Sequence, residues 1–304
     1  MMRNGPRLAI AVRRPDAAIV ASVRPWFTLF AAEWAKKPFA RGFPVLMETL
    51  VNGIKALNFS AGIAIEGEGE ELQPWQLALT LAAAIGFGLL LFVVLPHLIT
   101  VGMQYLGLSG GMEGLSFHVW DGFFKAAVFL GYIAAISCLP DIRRVFEYHG
   151  AEHKVIWAYE RRENPVNVAS SGRQTRLHPR CGTTFLLFVL AISIIAHAVV
   201  VPCILLAWSP ENVVVKHAGI VCVKLLLMAP ISALAYEVIR YAAVLEESLF
   251  ATVLRGPGMF LQHLTTREPD GAQLEVALTA LAEALGEDRA VPIEAPPHGI
   301  VGHA

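Results

Sequence analysis

Two long stretches of the chain contain no charged residue. Residues 72–112 and residues 181–210 include no Asp, Glu, Lys or Arg. Each stretch exceeds the roughly 20 residues that an α-helix needs to cross a bilayer. Residues 119–140 and 217–239 are weaker candidates, because each contains charged side chains. Together these patterns predict four transmembrane helices.

The composition of the chain is that of a membrane protein. Of its 304 residues, 55% are hydrophobic and 16% are charged, whereas an ordinary soluble domain carries about 25% charged residues. A purely soluble protein and a disordered chain are therefore excluded. The net charge of −1 argues against nucleic acid as the main partner, because nucleic-acid-binding domains are usually basic. The four cysteines lack short paired spacings and predict no disulfide framework.

The placement of Lys and Arg predicts how the chain is oriented. Nine of these residues precede the first span, eight lie between the second and third spans, and four follow the last span. None lies between the first two spans, and only Lys216 lies between the last two. Because basic residues concentrate in cytoplasmic loops, we expect both termini and the loop at residues 141–182 to face the cytoplasm. Thiols stay reduced in that compartment, so Cys181 is a candidate ligand or nucleophile.

The predicted fold is mainly α-helical, a four-span membrane protein in three segments. Residues 1–71 form a cytoplasmic N-terminal region. Residues 72–239 form the four-helix bundle, including the cytoplasmic loop 141–182. Residues 240–304 form a cytoplasmic helical region.

Periodicity predicts the local structure of the cytoplasmic segments. Partly alternating apolar residues at 7–13 and 18–24, on either side of a turn, predict a small β-hairpin. Apolar residues at helical spacing over 43–59 predict an amphipathic helix, on the membrane surface or against the bundle. Two further helices follow the last span, ahead of an end that we expect to be flexible from Val291.

The cytoplasmic loop contains the sequence His149-Gly150-Ala151-Glu152-His153. Helical spacing places His149, Glu152 and His153 on one face, so both imidazoles can reach one metal ion. The order H-x-x-E-H is that of inverzincins, in which two His bind zinc and the Glu acts as general base. The motif predicts a divalent-metal site, with zinc favoured, and Glu152 as the catalytic base.

A second cluster, His178-Pro179-Arg180-Cys181, precedes the third span on the same side of the membrane. His178 and Cys181 are suitable zinc ligands, and Arg180 is a candidate partner for an oxyanion or a phosphate. Three protein ligands leave a position open for catalysis, whereas four form a closed structural site. The alternatives are interfacial His side chains without a metal, and a cysteine hydrolase with Cys181 as nucleophile.

Two lysines lie inside the weaker predicted spans. Lys125 and Lys224 are second-tier site candidates, because buried charges in a membrane are commonly functional. The simpler interpretation is that their side chains extend to the membrane surface, or that Lys125 pairs with Asp121 one helical turn away. If the lysines instead meet His97 and His197 inside the bundle, the pattern favours a transporter.

Six short segments match motifs of a known family. They are RG at 41–42, KALNFSA at 55–61, YHGAEHK at 148–154, LHPRCGT at 177–183, YE at 236–237 and LTTREP at 264–269. Through them the chain, from Met1 to about Leu285, resembles the YqhQ-like family of bacterial membrane proteins, a domain of unknown function described as a predicted metal-dependent enzyme. Members of that family usually begin with a Gly-rich segment containing Gln and Glu, ahead of the Met-Met-Arg sequence that opens this chain. Glu237 is a further second-tier candidate, because inverzincins take a downstream Glu as third ligand, although an ion pair with Arg240 is the simpler alternative.

The residues and the resemblance together predict a bacterial inner-membrane protein with a cytosol-facing metal site. The ligands are His149 and His153 with His178 and Cys181. The leading hypothesis is metal-dependent hydrolysis of a membrane-embedded peptide or a lipid at the membrane surface. Membrane lipids are expected partners of the arginines in the loop, and the oligomeric state is left open. The rival hypothesis is a non-catalytic transporter or membrane assembly factor with a structural metal site.

Overall fold

The structure, a computed structural model, describes residues 1–28, 33–64, 74–246, 248–286 and 290–303. Its strands are β1 (Met2–Asn4), β2 (Arg7–Arg13), β3 (Ile19–Pro25) and β4 (His298–His303). Its helices are α1 (Gly42–Ala64), α2 (Pro74–Leu89), α3 (Leu95–Tyr105), α4 (Leu115–Ile136), α5 (Pro140–Glu160), α6 (Val168–Gly172), α7 (Thr183–Ala207), α8 (Val213–Leu226), α9 (Met228–Val244), α10 (Leu249–Thr265) and α11 (Gly271–Leu285). A short 3-10 helix occupies Glu33–Lys36, and a π-helical turn at Leu90–Val94 joins α2 to α3.

Among the described residues, four helices are long and apolar enough to cross a membrane. Span 1 is Ala82–Tyr105, span 2 is Leu115–Ile136, span 3 is Thr183–Ala207 and span 4 is Val213–Ala242. Span 2 packs between spans 1 and 3, and span 3 packs on span 4. Large apolar side chains point away from this bundle; they include Leu98, Val119, Phe123, Ile195 and Val199. Four helices of the predicted kind are therefore present.

The N-terminal strands form the predicted hairpin. β2 and β3 pair antiparallel, in a register that runs from Arg7 opposite Pro25 to Arg13 opposite Ile19. β1 adds to the free edge of β2, and β4 pairs parallel with β3. The expectation of a flexible C-terminal end is wrong for β4, because its partner strand lies almost 280 residues earlier in the chain and local composition does not report such a pairing.

The sheet has a helix layer on each face. Period-two alternation along β2 turns Ala9 toward α5 and α11, where the core also contains Val155 and Leu278. Alanines alternate with leucines on this face of α11, and the helix packs against both the sheet and α5. Segments from the two ends of the chain and from the loop between spans 2 and 3 thus share one hydrophobic core.

The opposite face of the sheet is covered by α1. Leu8 and Val20 turn toward this side and pack with Ala56. The first residue of α1, Gly42, lies against span 4 so closely that a Cβ would come within 2.5 Å of the Cα atom of Ala233. The helix that was expected at 43–59 therefore joins the sheet to the bundle.

Candidate metal site

The two histidines of the H-x-x-E-H motif lie on one face of α5. Their ring centroids are 4.4 Å apart, as the spacing of one helical turn predicts. Gly150 lies between them, at the point where residues 265–267 cross the helix. A Cβ at Gly150 would come within 2.1 Å of the carbonyl oxygen of Arg267, so only glycine allows this crossing.

Backbone carbonyls fix the orientation of both imidazole rings. His149 Nδ1 lies 2.8 Å from the carbonyl oxygen of Thr265, and His153 Nδ1 lies 2.6 Å from the carbonyl oxygen of Arg176. A carbonyl oxygen can only accept a hydrogen bond, so each Nδ1 carries a proton and donates it. The Nε2 atoms are thereby left to face other partners. This arrangement is typical of histidines that bind a metal through Nε2.

Cys181 completes a three-residue cluster with these imidazoles. Its Sγ lies 3.3 Å from His149 Nε2 and 3.1 Å from the hydroxyl oxygen of Thr183. One ligand atom from each of His149, His153 and Cys181 lies within 4.8 Å of the others. Cys181 and His153 are buried and His149 is half-buried. The cluster stands at the end of the bundle, because Cys181 is two residues ahead of span 3.

The electrostatics of the cluster favour a thiolate. Burial by itself raises the pKa of the Cys181 thiol, but hydrogen bonds and charges from His149 and His153 outweigh it and lower the pKa to about 5. Burial lowers the pKa of His149, but the hydrogen bond and the charge of Cys181 outweigh that effect and raise it. The thiolate is the form of cysteine that binds metals. The cluster therefore favours the thiolate form of Cys181 at neutral pH.

His178 lies beside the cluster but has other partners. Its Nε2 is 3.4 Å from a carboxylate oxygen of Glu160, and its Nδ1 accepts a hydrogen bond from the backbone N–H of Arg180 at 3.2 Å. Burial lowers the pKa of His178. The Arg180 guanidinium pairs with the same Glu160 carboxylate. The structure thus brings together three of the four predicted ligands and places His178 and Arg180 around Glu160.

The two candidate carboxylates also have partners outside the cluster. Glu152 contacts the amino group of Met1. Glu237 receives two hydrogen bonds from the Arg41 guanidinium, at 2.7 Å from Nε and 2.6 Å from Nη2. The carboxylate of Glu237 therefore links the start of α1 to span 4.

The lysines of spans 2 and 4 point into the bundle, and the expectation that they extend to the membrane surface is wrong. Lys125 is 4% exposed and Lys224 is 1% exposed. The Lys224 amine donates to Asp121 Oδ1 at 2.8 Å, and the Lys125 amine lies 3.7 Å from Asp121 Oδ2. The alternative pairing of Lys125 with Asp121 is therefore present. The Asp121 carboxylate draws both amines inward because a buried charge is tolerated when an opposite charge accompanies it.

Comparison with known proteins identifies the family. A family model described as "Protein of unknown function (DUF1385)" matches residues 37–287. The chain belongs to this family. It is also 32% identical over 286 residues to the uncharacterized protein YqhQ of Bacillus subtilis, covering 90% of this chain and 86% of that protein. These findings confirm the YqhQ-like resemblance. No solved structure gives a significant match.

Sequence reasoning missed the residues that hold the site together. The side-chain amide of Gln262 is fully buried and forms two hydrogen bonds to the backbone of His178, at 2.7 Å and 2.8 Å. Thr265 and Arg176 act through their backbone carbonyl oxygens. Every residue has such a carbonyl, so the residue type does not indicate this role. The segment LTTREP, which carries part of the family resemblance, contains Thr265 and was the one available indication.

Proposed function

We propose that the protein is a membrane-embedded, zinc-dependent hydrolase whose metal ligands are His149, His153 and Cys181. The observation that carries this proposal is the pair of hydrogen bonds from the two Nδ1 atoms to backbone carbonyls. They direct both Nε2 atoms toward the Cys181 thiol. Because the rings are already held in this orientation, they need no reorganisation when a metal binds.

The donor set fits zinc in a catalytic role. Imidazole nitrogen and thiolate sulfur are the ligands that zinc prefers, and catalytic zinc sites keep three protein ligands with one open position. The engagement of His178 with Glu160 supports three ligands over four. When bound, zinc would supply a Lewis acid that polarises a carbonyl or phosphoryl oxygen.

The neighbouring side chains would supply the remaining chemistry. Glu152 lies on the same helix face as both histidines, and we propose that its carboxylate takes a proton from the attacking water. Arg180 is half-exposed at the rim and would bind a developing negative charge or a lipid phosphate. Because the site adjoins the start of span 3, the substrates that fit are a peptide bond or a lipid ester or phosphate at the cytoplasmic surface of a bacterial inner membrane.

A second candidate function has its own support. The buried charges of spans 2 and 4, which meet inside the bundle, favour a transporter in which the metal only fixes the loop between spans 2 and 3.

The first experiment is elemental analysis of the purified protein. We expect about one zinc ion per chain in the wild type, lost in Cys181→Ser and in His153→Ala. His178→Gln is the matched control and keeps its zinc, because its ring lies outside the cluster. An absence of zinc in the wild type after zinc is resupplied contradicts the proposal, as does an equal loss in the control.

Glu152→Gln separates the two functions. Under the hydrolase proposal the variant keeps zinc and loses turnover of a membrane peptide or lipid ester, typically by two or more orders of magnitude. Under the transporter alternative the variant is nearly silent. A variant that keeps both zinc and hydrolysis excludes Glu152 as the general base.

A further inference from the structure

A second group of titratable side chains fills the interior of the bundle, and all four spans contribute to it. We call it the core cluster; it consists of His97 in span 1, Asp121 and Lys125 in span 2, His197 in span 3, and His217 and Lys224 in span 4. All of these except His217 are at most 4% exposed. Charged groups at such positions are costly in a membrane and mark proton or ion pathways.

The core cluster is a continuous chain of contacts. His217 Nδ1 lies 2.9 Å from His97 Nε2, and His97 Nδ1 lies 3.3 Å from the Lys224 amine. The Lys224 amine donates to Asp121 at 2.8 Å, and the opposite oxygen of Asp121 is 3.7 Å from the Lys125 amine. The Lys125 amine in turn lies 2.9 Å from His197 Nδ1. Every member therefore lies within reach of the next.

The charges of the core cluster do not balance. One carboxylate serves two amines, and the closest partner of the Lys125 amine is a histidine ring rather than Asp121. Either a proton is absent from one amine or an anion joins the group. Because consecutive members lie only 2.8–3.7 Å apart, an anion would have to separate them, whereas a proton needs no additional space.

Two ring nitrogens of this region lack partners. Among the described residues, His197 Nε2 and His118 Nδ1 are buried without a hydrogen-bond partner, while His118 Nε2 is held by the carbonyl oxygen of Met112 at 2.9 Å. His197 stands at the inner end of the chain of contacts and is 3% exposed. A buried nitrogen with spare capacity at the end of such a chain is where a proton can be received.

The core cluster extends from one end of the bundle to its middle. At about 1.5 Å per residue, His217 lies about 6 Å and Lys224 about 17 Å from the start of span 4, within a hydrocarbon core about 30 Å thick. The half-buried His217 is next to Lys216, and Lys216 pairs with Glu113 at this end of the bundle. This end carries loops 106–114 and 208–212 and is opposite the Cys181 cluster.

We propose that the core cluster is a proton relay that takes up a proton from the aqueous phase at this end of the bundle. His217 accepts the proton from water, and each member passes a proton to the next by accepting at one atom and releasing from another. The cluster gains one positive charge, shared at its inner end by Lys125 and His197. If the protein is a transporter, the relay would supply the proton that drives transport. The relay does not depend on zinc, so the relay and the zinc-dependent hydrolase can each fail without the other.

The test is a pH jump on proteoliposomes adsorbed to a solid-supported membrane. A proton that moves partway across the membrane displaces charge, so we expect the wild type to give a transient current on acidification. Asp121→Asn and Lys125→Met remove the centre of the relay and should reduce the current to that of empty liposomes. His263→Ala, an exposed histidine outside the bundle, is the control and keeps the current.

A further variant distinguishes the loss of the relay from a failure to fold. His217→Gln changes only the half-buried entrance, so it folds as the wild type does and slows the rise of the current. A wild type that gives no more current than empty liposomes overturns the relay. A full current in Asp121→Asn or an unchanged rise in His217→Gln overturns it as well, and the core cluster is then a purely structural ion-pair network.

Discussion

At the scale of single residues, Gly150 shows how backbone packing controls the candidate metal site. The chain at residues 265–267 crosses α5 at this glycine, and the N–H of Arg267 donates to the carbonyl of Phe146 at 2.9 Å. The same crossing brings the carbonyl of Thr265 to His149. The orientation of His149, a candidate ligand, thus depends on the absence of one methyl group at Gly150.

We therefore expect Gly150→Ala to damage both stability and metal binding. The new Cβ would force the crossing segment away from α5 and carry the Thr265 carbonyl away from His149. Overpacking of this kind costs about 1–3 kcal/mol, measured as a lower unfolding temperature, and zinc affinity should fall as well. Gly53→Ala is the control: Gly53 is inside α1 with open space around it, so that change should be neutral or stabilising. Equal effects of the two substitutions would contradict this account.

At the scale of secondary-structure elements, the pair of Arg41 and Glu237 joins α1 to span 4. Two parallel hydrogen bonds connect the side chains, and the backbone N–H of Phe39 donates to the same carboxylate at 3.2 Å. Planar two-point contacts of this kind are stronger than single ion pairs. The helix that covers the sheet is thereby fixed to the bundle through a charged contact as well as through Gly42.

A double-mutant cycle measures this link. Arg41→Ala and Glu237→Gln should each lower the unfolding temperature, and their coupling should be about 1 kcal/mol because the two hydrogen bonds are lost together. The pair of Arg143 and Glu147, one helical turn apart with Arg143 exposed, serves as control and should couple by only about 0.3 kcal/mol. Similar coupling in both pairs would remove the special role of the two-point contact. Zinc content should be unchanged in Glu237→Gln, since its carboxylate faces Arg41.

At the scale of the whole molecule, the strands from both ends of the chain and the helix α5 share one core at one end of the bundle. The two candidate sites lie at opposite ends of the bundle. The Cys181 cluster is beside the shared hydrophobic core, and His217, the outermost member of the core cluster, is beside loops 106–114 and 208–212. The distribution of Lys and Arg predicts that the shared core faces the cytoplasm.

Labelling of intact cells checks this orientation. A cysteine introduced as Leu108→Cys should react with a membrane-impermeant maleimide above the background of the native cysteines. A cysteine introduced as Thr175→Cys should react only after the cells are permeabilised, because the distribution of Lys and Arg predicts that the loop with the candidate metal site faces the cytoplasm. The reverse pattern of labelling would show that the chain is inverted.

The predictions that succeeded rest on contacts between residues close in sequence. The hairpin at β2 and β3 follows from alternation and a short turn, and the placement of His149 beside His153 follows from helical spacing. The choice between His178 and Cys181 could not be made in this way. It depends on Glu160, which binds His178, and on the turn that carries Cys181 back to His149.

The sequence by itself determined which segments form apolar spans, which strands alternate and which side chains share a helix face, because these properties repeat with a local period. Only the tertiary structure decided that Lys125 and Lys224 turn inward, that β4 joins β3, and that the Thr265 carbonyl orients His149. Each of these outcomes depends on a partner far away in the chain. A buried charge or backbone N–H pairs with whichever group the folded chain places beside it. No periodic pattern in the sequence predicts that partner.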